Sequence, residues 1–115
     1  MKTTIYHNPR CRKSRETLHL LEEQNIEFEV VKYLEEVPSI SKLQKILDLL
    51  EMKPIDLIRK NEAIWKENYK GKSLTDEELL EAMHQNPKLI ERPIVIHDQK
   101  AVIGRPPENL LKIIA

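Results

Sequence analysis

The chain has one cysteine and two glycines among its 115 residues, and its 19 basic and 19 acidic side chains leave no net charge. A single cysteine cannot form an internal disulfide, which fits a reducing compartment and predicts a cytoplasmic location. So few glycines exclude a glycine-rich phosphate loop of the nucleotide-binding type. Because nucleic-acid binders usually carry a basic excess, the balanced charge predicts no nucleic acid among the partners.

Long apolar segments are also absent. No apolar run approaches the length that spans a membrane, so we expect no membrane partner. The N-terminal residues 1–5 have no apolar core and no small-residue cleavage site, and we expect no secretory signal there. Composition, at 40% apolar and 33% charged residues, predicts a single soluble domain over residues 1–115.

Hydrophobic periodicity predicts the element order β-α-β, a helical block, then β-β-α. The predicted strands cover 3–6, 28–31, 93–97 and 101–103, and the predicted outer helices cover 12–24 and the end of the chain from Pro106. The last helix is expected to carry Leu110, Leu111 and Ile114 on one face. A βαβ unit and a ββα unit, with cysteine where the first helix starts, are typical of a thioredoxin-like α/β fold with a mixed sheet.

The helical block is predicted as an insertion at about 39–86. Apolar residues repeat at helical spacing from Ile40 to Leu50, and Ser39 or Ser41 is the candidate N-cap. A short helix is expected to start at Pro54. A capping box from Thr75 to Glu78 opens another helix, which ends before Pro87.

The cysteine, Cys11, lies where the first helix is predicted to begin. A helix N-terminus favours an anion, because its backbone N–H groups are unpaired and its dipole is positive there. Ser14 lies on the same helix face and can donate a hydrogen bond to the sulfur. Cationic side chains also surround it: Arg10, Arg12, Lys13 and Arg15. We therefore predict a reactive thiolate, although a lone cysteine without such surroundings is more often an inert buried residue.

The pattern around Cys11 narrows the chemistry. Cys-x-x-Ser has no second cysteine, so an oxidised or adducted Cys11 must be resolved by an external thiol. Thr17 stands where a Cys-x5-Arg phosphatase loop needs its arginine, which disfavours that class. No histidine or second cysteine lies at metal-ligand spacing around Cys11, so no metal is expected.

Three arginines are predicted at the ends of separate elements, namely Arg59, Arg92 and Arg105. Such arginines are usually solvated surface charges. If they converged on a thiolate they would form an oxyanion site, since guanidinium groups bind tetrahedral oxyanions in a bidentate manner.

Four segments, in matching order and spacing, carry a resemblance to a known family. They are His7–Arg15 with its Cys-x-x-Ser, Leu57–Asn61, Glu91–Val95 and Ile103–Glu108. Together, from Tyr6 to Ile114, they resemble the glutaredoxin-linked arsenate reductase family. The resemblance implies a thioredoxin-like fold with a helical insertion. It also implies cytoplasmic reduction of arsenate to arsenite with glutathione as reductant, glutaredoxin as partner and no tightly bound cofactor.

The resemblance also implies roles for individual residues. Cys11 corresponds to the nucleophile, and Arg59, Arg92 and Arg105 correspond to the oxyanion ligands. His7 and Ser14 match residues that favour the thiolate, although an exposed loop histidine is the simpler interpretation of His7. Pro93 matches the cis proline that precedes the third strand of thioredoxin-like folds and faces the cysteine, although most X-Pro bonds are trans.

Two features qualify the family assignment. Arg12 and Lys13 are more basic than the Gly-Thr of well-established resistance enzymes, and this resembles a chromosomal subgroup. The superfamily also contains a regulator that binds RNA polymerase, which typically carries Cys-x-x-Cys and lacks the equivalent of Arg105. Retention of Arg59 and Arg105 favours an enzyme, and a non-enzymatic regulator or adaptor that binds RNA polymerase is the alternative.

Overall fold

A computed structural model describes residues 2–114 and contains a four-stranded sheet with the order β2-β1-β3-β4. The strands are β1 Thr3–Tyr6, β2 Glu29–Val31, β3 Ile94–His97 and β4 Lys100–Ile103. Strand β1 is parallel to β2 and antiparallel to β3, and β3 is antiparallel to β4. The predicted element order and the mixed sheet of an α/β fold are thus confirmed.

Helix α1, Arg12–Glu23, links β1 to β2 and packs on the sheet through an apolar core. Ile5, Leu21, Val95 and Leu110 are fully buried in that core. The helix also buries two polar residues, Ser14 and Thr17, on the same side as Leu21. Their spacing of three and seven residues puts all three on one helix face.

The prediction of one continuous helix from Pro106, with Leu110, Leu111 and Ile114 on one face, is wrong. The chain forms a 3-10 helix at Pro107–Leu110 and then a short α6 at Leu111–Ile114. Leu110 is buried, whereas Leu111 is 41% exposed and does not share a buried face with it. A 3-10 helix has three residues per turn, so the face predicted for a continuous α-helix is not kept across the junction.

The chain divides into two compact units, one formed by residues up to 36 with residues from 92 onward, and the other by residues 37–91. The second unit contains α2 Ile40–Leu50, α3 Pro54–Leu57, α4 Ala63–Asn68, α5 Asp76–Gln85 and a 3-10 helix at Pro87–Leu89. Its interior includes the fully buried Leu43, Leu47, Leu57 and Met83. A single domain over 1–115 with an insertion at 39–86 stays a prediction.

Helix α4 and the 3-10 helix at Pro87–Leu89 were not predicted from the sequence. Helix α4 has six residues and buries only Trp65 among them, so it leaves no periodic apolar pattern. None of the helices within residues 2–114 has the length and apolar character needed to cross a membrane.

Both predicted helix caps of the second unit are present. The Ser39 hydroxyl, rather than that of Ser41, accepts a hydrogen bond from the Lys42 N–H at 3.1 Å. The Thr75 hydroxyl accepts from the Glu78 N–H at 3.1 Å, and the Glu78 carboxylate accepts from the Thr75 N–H at 3.0 Å. This reciprocal pair is the predicted capping box, and it satisfies two backbone donors at the start of α5.

We expect Thr75→Ala to lower the free energy of unfolding by about 1 kcal/mol, because the cap hydroxyl is lost. Urea denaturation measures the change. Thr75→Ser keeps the hydroxyl and serves as the matched control. Equal stability of the alanine and serine variants would contradict a stabilising role of the cap.

Candidate active site

Cys11 is the N-cap residue of α1, with extended backbone angles of φ −93° and ψ 123°. A tight turn precedes it, in which the Cys11 N–H donates to the Asn8 carbonyl oxygen at 3.0 Å. The Asn8 side-chain oxygen accepts from the Arg10 N–H at 3.0 Å and stiffens the same turn. The residue is only 8% exposed, so the thiol has little contact with water.

The strand register explains why distant residues meet Cys11. Tyr6 at the end of β1 pairs with Ile94 at the start of β3, and Ile94 pairs with Ile103 at the end of β4. The segment after β1, the segment before β3 and the segment after β4 therefore all lie at the same end of the sheet. This places Arg92 and Arg105 at the end of the sheet where α1 begins.

The pKa of the Cys11 thiol is lowered from its ordinary value by opposing effects. Burial, the largest, raises the pKa because it disfavours the charged sulfur. The backbone N–H groups of Ser14 and Lys13 and the positive charges of Arg92 and Arg105 lower it, and their sum exceeds the effect of burial. Although the sulfur makes no formal capping hydrogen bond, the helix N-terminus stabilises its anion as predicted.

The stabilising side-chain charges come from Arg92 and Arg105, and not from the basic cluster next to Cys11 in the sequence. Arg105 Nη1 lies 3.8 Å from the Cys11 sulfur. Within the basic cluster, Arg12 and Lys13 form ion pairs with Glu16 at 3.1 and 3.6 Å. Arg15 donates to the Pro9 carbonyl oxygen at 3.0 Å. The predicted contribution of the basic cluster is therefore wrong, because only Arg92 and Arg105 lower the thiol pKa by their charge, and the side chains of Arg12, Lys13 and Arg15 bind other groups.

His7 and Ser14 form a buried pair close to Cys11. His7 is 5% exposed, which excludes the exposed loop histidine, and its Nδ1 lies 2.6 Å from the Ser14 hydroxyl. That hydroxyl also accepts from the Asn8 N–H at 3.0 Å. Ser14 thus favours the thiolate through its backbone N–H, and the predicted hydroxyl-to-sulfur bond gives way to bonds with His7 and Asn8. Burial, followed by the charges of Lys32 and Arg15, lowers the pKa of His7 and favours the neutral ring.

The predicted cis bond between Arg92 and Pro93 is confirmed. Pro93 is buried directly before β3, and the Nε and Nη1 atoms of Arg92 are shielded from solvent. A second cis bond, between Arg105 and Pro106, was not predicted from the sequence. Arg92 and Arg105, the two arginines that lower the pKa of Cys11, are thus each followed by a cis proline.

Arg59, the third predicted arginine, belongs to the unit of residues 37–91. Its side chain is 18% exposed, and the guanidinium lies 2.7 Å from a Glu62 carboxylate oxygen and 3.9 Å from one of Glu91. Its backbone N–H donates to the Leu89 carbonyl oxygen at 2.7 Å. The structure thus brings Arg92 and Arg105 to Cys11, and it shows Arg59 in ion pairs inside its own unit.

Sequence reasoning missed Thr17 and Gly104. Thr17 is fully buried, and its hydroxyl lies 3.1 Å from the Gly104 carbonyl oxygen. A weak signal was present, since Ser14 and Thr17 are polar residues on the face of α1 that carries Leu21. Such polar positions in an apolar helix face indicate buried hydrogen bonds.

Comparison with known proteins identifies the family of the chain. Residues 6–113 match the ArsC family. The chain belongs to this family. Over 112 residues it is 52% identical to the uncharacterised protein YfgD of Escherichia coli K12, covering 96% of this chain and 94% of that protein. Over 116 residues it is 42% identical to an arsenate reductase of Haemophilus influenzae, covering 99% of this chain and all of that protein.

The fold has a solved counterpart within the family. The structure of an arsenate reductase from Vibrio cholerae superposes with a TM-score of 0.94 at 47% sequence identity. The match covers 99% of this chain and 98% of that one. Together with the mixed four-stranded sheet, it confirms the predicted thioredoxin-like α/β fold.

We expect Cys11 to form its thiolate below the value of about 8.5 typical of a free cysteine. Ultraviolet absorbance of the thiolate against pH, with Cys11→Ser as baseline, measures the midpoint. The rate of alkylation should rise with pH and level off at a lower pH than for a free thiol, because the thiolate is the reacting form. Arg105→Ala should raise the midpoint, whereas Arg12→Ala should not. A wild-type midpoint at or above the free value would contradict an activated thiol.

Proposed function

We propose that the protein reduces arsenate to arsenite through a covalent bond between Cys11 and arsenic. The Cys11 thiolate attacks arsenic and displaces one oxygen as water or hydroxide, which leaves a sulfur–arsenic adduct. Arg92 and Arg105 neutralise the bound oxyanion and the charge that develops on it during the attack. The reaction needs no tightly bound cofactor, because thiols supply the electrons.

External thiols complete the reaction in this proposal. Glutathione attacks the adduct, and glutaredoxin completes the turnover, so that arsenic gains two electrons while two external thiol sulfurs are oxidised to a disulfide. Cys11 returns to its thiolate form. The lone cysteine supports this order, since the chain contains no second thiol for an internal disulfide. Such a reaction belongs in a reducing compartment, and we propose a cytoplasmic location.

One observation carries the proposal most directly: the guanidinium of Arg105 lies 3.8 Å from the sulfur of a cysteine whose pKa is lowered. An inert packing cysteine needs neither an anionic form nor two nearby guanidinium charges. The 42% identity to an arsenate reductase over nearly the whole chain supports arsenate as the oxyanion.

Arg59 is proposed as a further oxyanion ligand on the strength of the resemblance. Its ion pairs with Glu62 and Glu91 show that the guanidinium already binds anionic oxygens. An oxyanion bound by Arg59 would exchange with one of these carboxylates. Glu62 is the closer competitor, because it is the one at 2.7 Å.

We expect arsenate-dependent oxidation of NADPH when the protein is coupled to glutathione, glutaredoxin and glutathione reductase. Cys11→Ser should abolish it, because no other thiol can form the adduct. A wild-type protein without arsenate-dependent turnover would contradict the enzyme. If the inactive protein, once immobilised, also specifically retained RNA polymerase, the regulator would be the better interpretation.

We expect Arg92→Ala and Arg105→Ala each to lower kcat/KM for arsenate by about 100-fold or more, the usual effect of removing one oxyanion donor. Arg105→Lys should recover only part of the loss, since the two-pronged guanidinium geometry is gone. Arg12→Ala is the matched control. Arg12 directly follows Cys11 at the start of α1, but its side chain is highly exposed and paired with Glu16. If all the alanine variants kept wild-type kcat/KM, the arginines would not form the anion site.

A further inference from the structure

Three buried residues meet behind Cys11, Arg92 and Arg105. Thr17 is on α1, Gly104 follows β4, and Pro93 precedes β3. All three are buried, and Thr17 is fully so. Gly104 directly precedes Arg105, Pro93 directly follows Arg92, and Thr17 lies six residues after Cys11 on the helix that Cys11 caps. We call the contact among these three residues the Thr17 clasp.

Thr17 and Pro93 pack so closely against Gly104 that there is no space for a side chain at this position. A Cβ added there would lie 2.6 Å from Thr17 Oγ1, 2.9 Å from Thr17 Cγ2 and 2.9 Å from Pro93 Cγ. Real Cβ atoms essentially never come that close to their neighbours. The φ angle of Gly104 lies outside the left-handed region, so its glycine is required for space and not for backbone conformation.

Hydrogen bonds join the same three chain segments. The Thr17 hydroxyl is within donating distance of the Gly104 carbonyl oxygen at 3.1 Å and of the Lys13 carbonyl oxygen at 2.9 Å. A hydroxyl has one proton, so these two acceptors share it. The Gly104 N–H donates to the Pro93 carbonyl oxygen at 2.9 Å. Lys13, one of the two residues whose backbone N–H groups lower the thiol pKa, is therefore linked through Thr17 to the segment that leads into Arg105.

We propose that the Thr17 clasp is a positioning device that fixes Arg92 and Arg105 against the Cys11 thiolate. Neither Thr17 nor Gly104 touches the sulfur in this proposal; both act through the arginines and through the start of α1. Gly104 directly precedes Arg105, so a shift of the backbone at Gly104 moves Arg105 as well. Electrostatic stabilisation depends on the distance between charges, and such a shift therefore weakens the effect of Arg105 on the thiolate. The inference rests on the proposed function, in which these arginines bind the oxyanion.

Simple packing would give a different pattern of effects. If the clasp only fills the interior, its loss lowers the thermal midpoint of unfolding and leaves the properties of the thiol unchanged. If it positions the arginines, its loss raises the pKa of Cys11 and weakens anion binding even where the protein stays folded. The pKa of the thiol is therefore the decisive readout.

The experiment compares Thr17→Val with Thr17→Ser. Valine keeps the branched shape and loses the hydroxyl, whereas serine keeps the hydroxyl and loses a methyl group. We expect Thr17→Val to raise the thiolate midpoint of Cys11 by roughly half a pH unit or more. We also expect arsenate and inorganic phosphate to protect Cys11 from alkylation about tenfold less well, as small misplacements at binding sites do. Thr17→Ser should restore most of both properties.

A second pair of variants tests the close approach. Gly104→Ala should raise the thiolate midpoint, because the new methyl group displaces the segment that leads into Arg105. Thr17→Ala combined with Gly104→Ala should lower the free energy of unfolding by less than the sum of the two single changes. The reason is that alanine at position 17 removes two of the three overlapping contacts. Ile113→Ala is the stability control, because this core-packed residue lies outside the clasp and should lower the thermal midpoint without moving the thiol pKa.

Thr17→Val with a lowered thermal midpoint but a wild-type thiol pKa and wild-type protection would overturn the clasp, whatever happens with Gly104→Ala. If Gly104→Ala fails to fold, Thr17→Val alone decides. The outcome for the proposed function is separate. A wild-type protein that does not reduce arsenate, with a Thr17→Val pKa shift still present, retains the clasp and refutes the reductase.

Discussion

A nearly buried thiolate must be stabilised by more than its burial costs. Burial is the largest single effect on Cys11, and it acts against the charged form. Backbone N–H groups and guanidinium charges have to exceed it, and within a small domain neither is available without folding. Helix α1 must therefore begin at Cys11, and two arginines from the far end of the sequence must return to the same place.

The mixed sheet satisfies this requirement through its register. The row Tyr6, Ile94 and Ile103 aligns the end of β1, the start of β3 and the end of β4. The antiparallel pairing of β1 with β3 is what brings Arg92 back to the start of α1, and the short β3–β4 hairpin does the same for Arg105. Only a few residues separate the ends of these strands from Cys11, Arg92 and Arg105. The sheet register alone therefore brings these three residues to the same end of the sheet.

Much of this could be predicted from the sequence, because the signals are local. The β-branched runs of β1 and β3, the amphipathic pattern of α1 and the capping box at Thr75 each lie within a few residues. The resemblance also led to the cis bond before Pro93. The Thr17–Gly104 contact and the effect of the arginine charges on the thiolate could not be found from such local signals. Both depend on residues about 90 positions apart, and hydrophobic periodicity contains no information on side-chain direction at that range. Helix α4 was missed for the opposite reason, since six residues are too few to show a period.

The two arginines beside the thiol differ in burial, and they therefore differ in how strongly their charges affect Cys11 and in how accessible they are to solvent. Arg92 is partly buried, and its charge lowers the pKa of Cys11 more than that of Arg105 does. A shielded charge acts in a lower dielectric and is little affected by salt. Arg105 is exposed, so its charge is more strongly screened, yet its guanidinium can reach an anion that arrives from solvent. In the proposed reaction, Arg92 therefore maintains the thiolate before arsenate binds, and Arg105 is the group that the incoming oxyanion meets first. Both arginines adjoin one buried contact, through Pro93 and Gly104, so the proposed clasp would hold Cys11 and the two guanidinium groups in a single geometry.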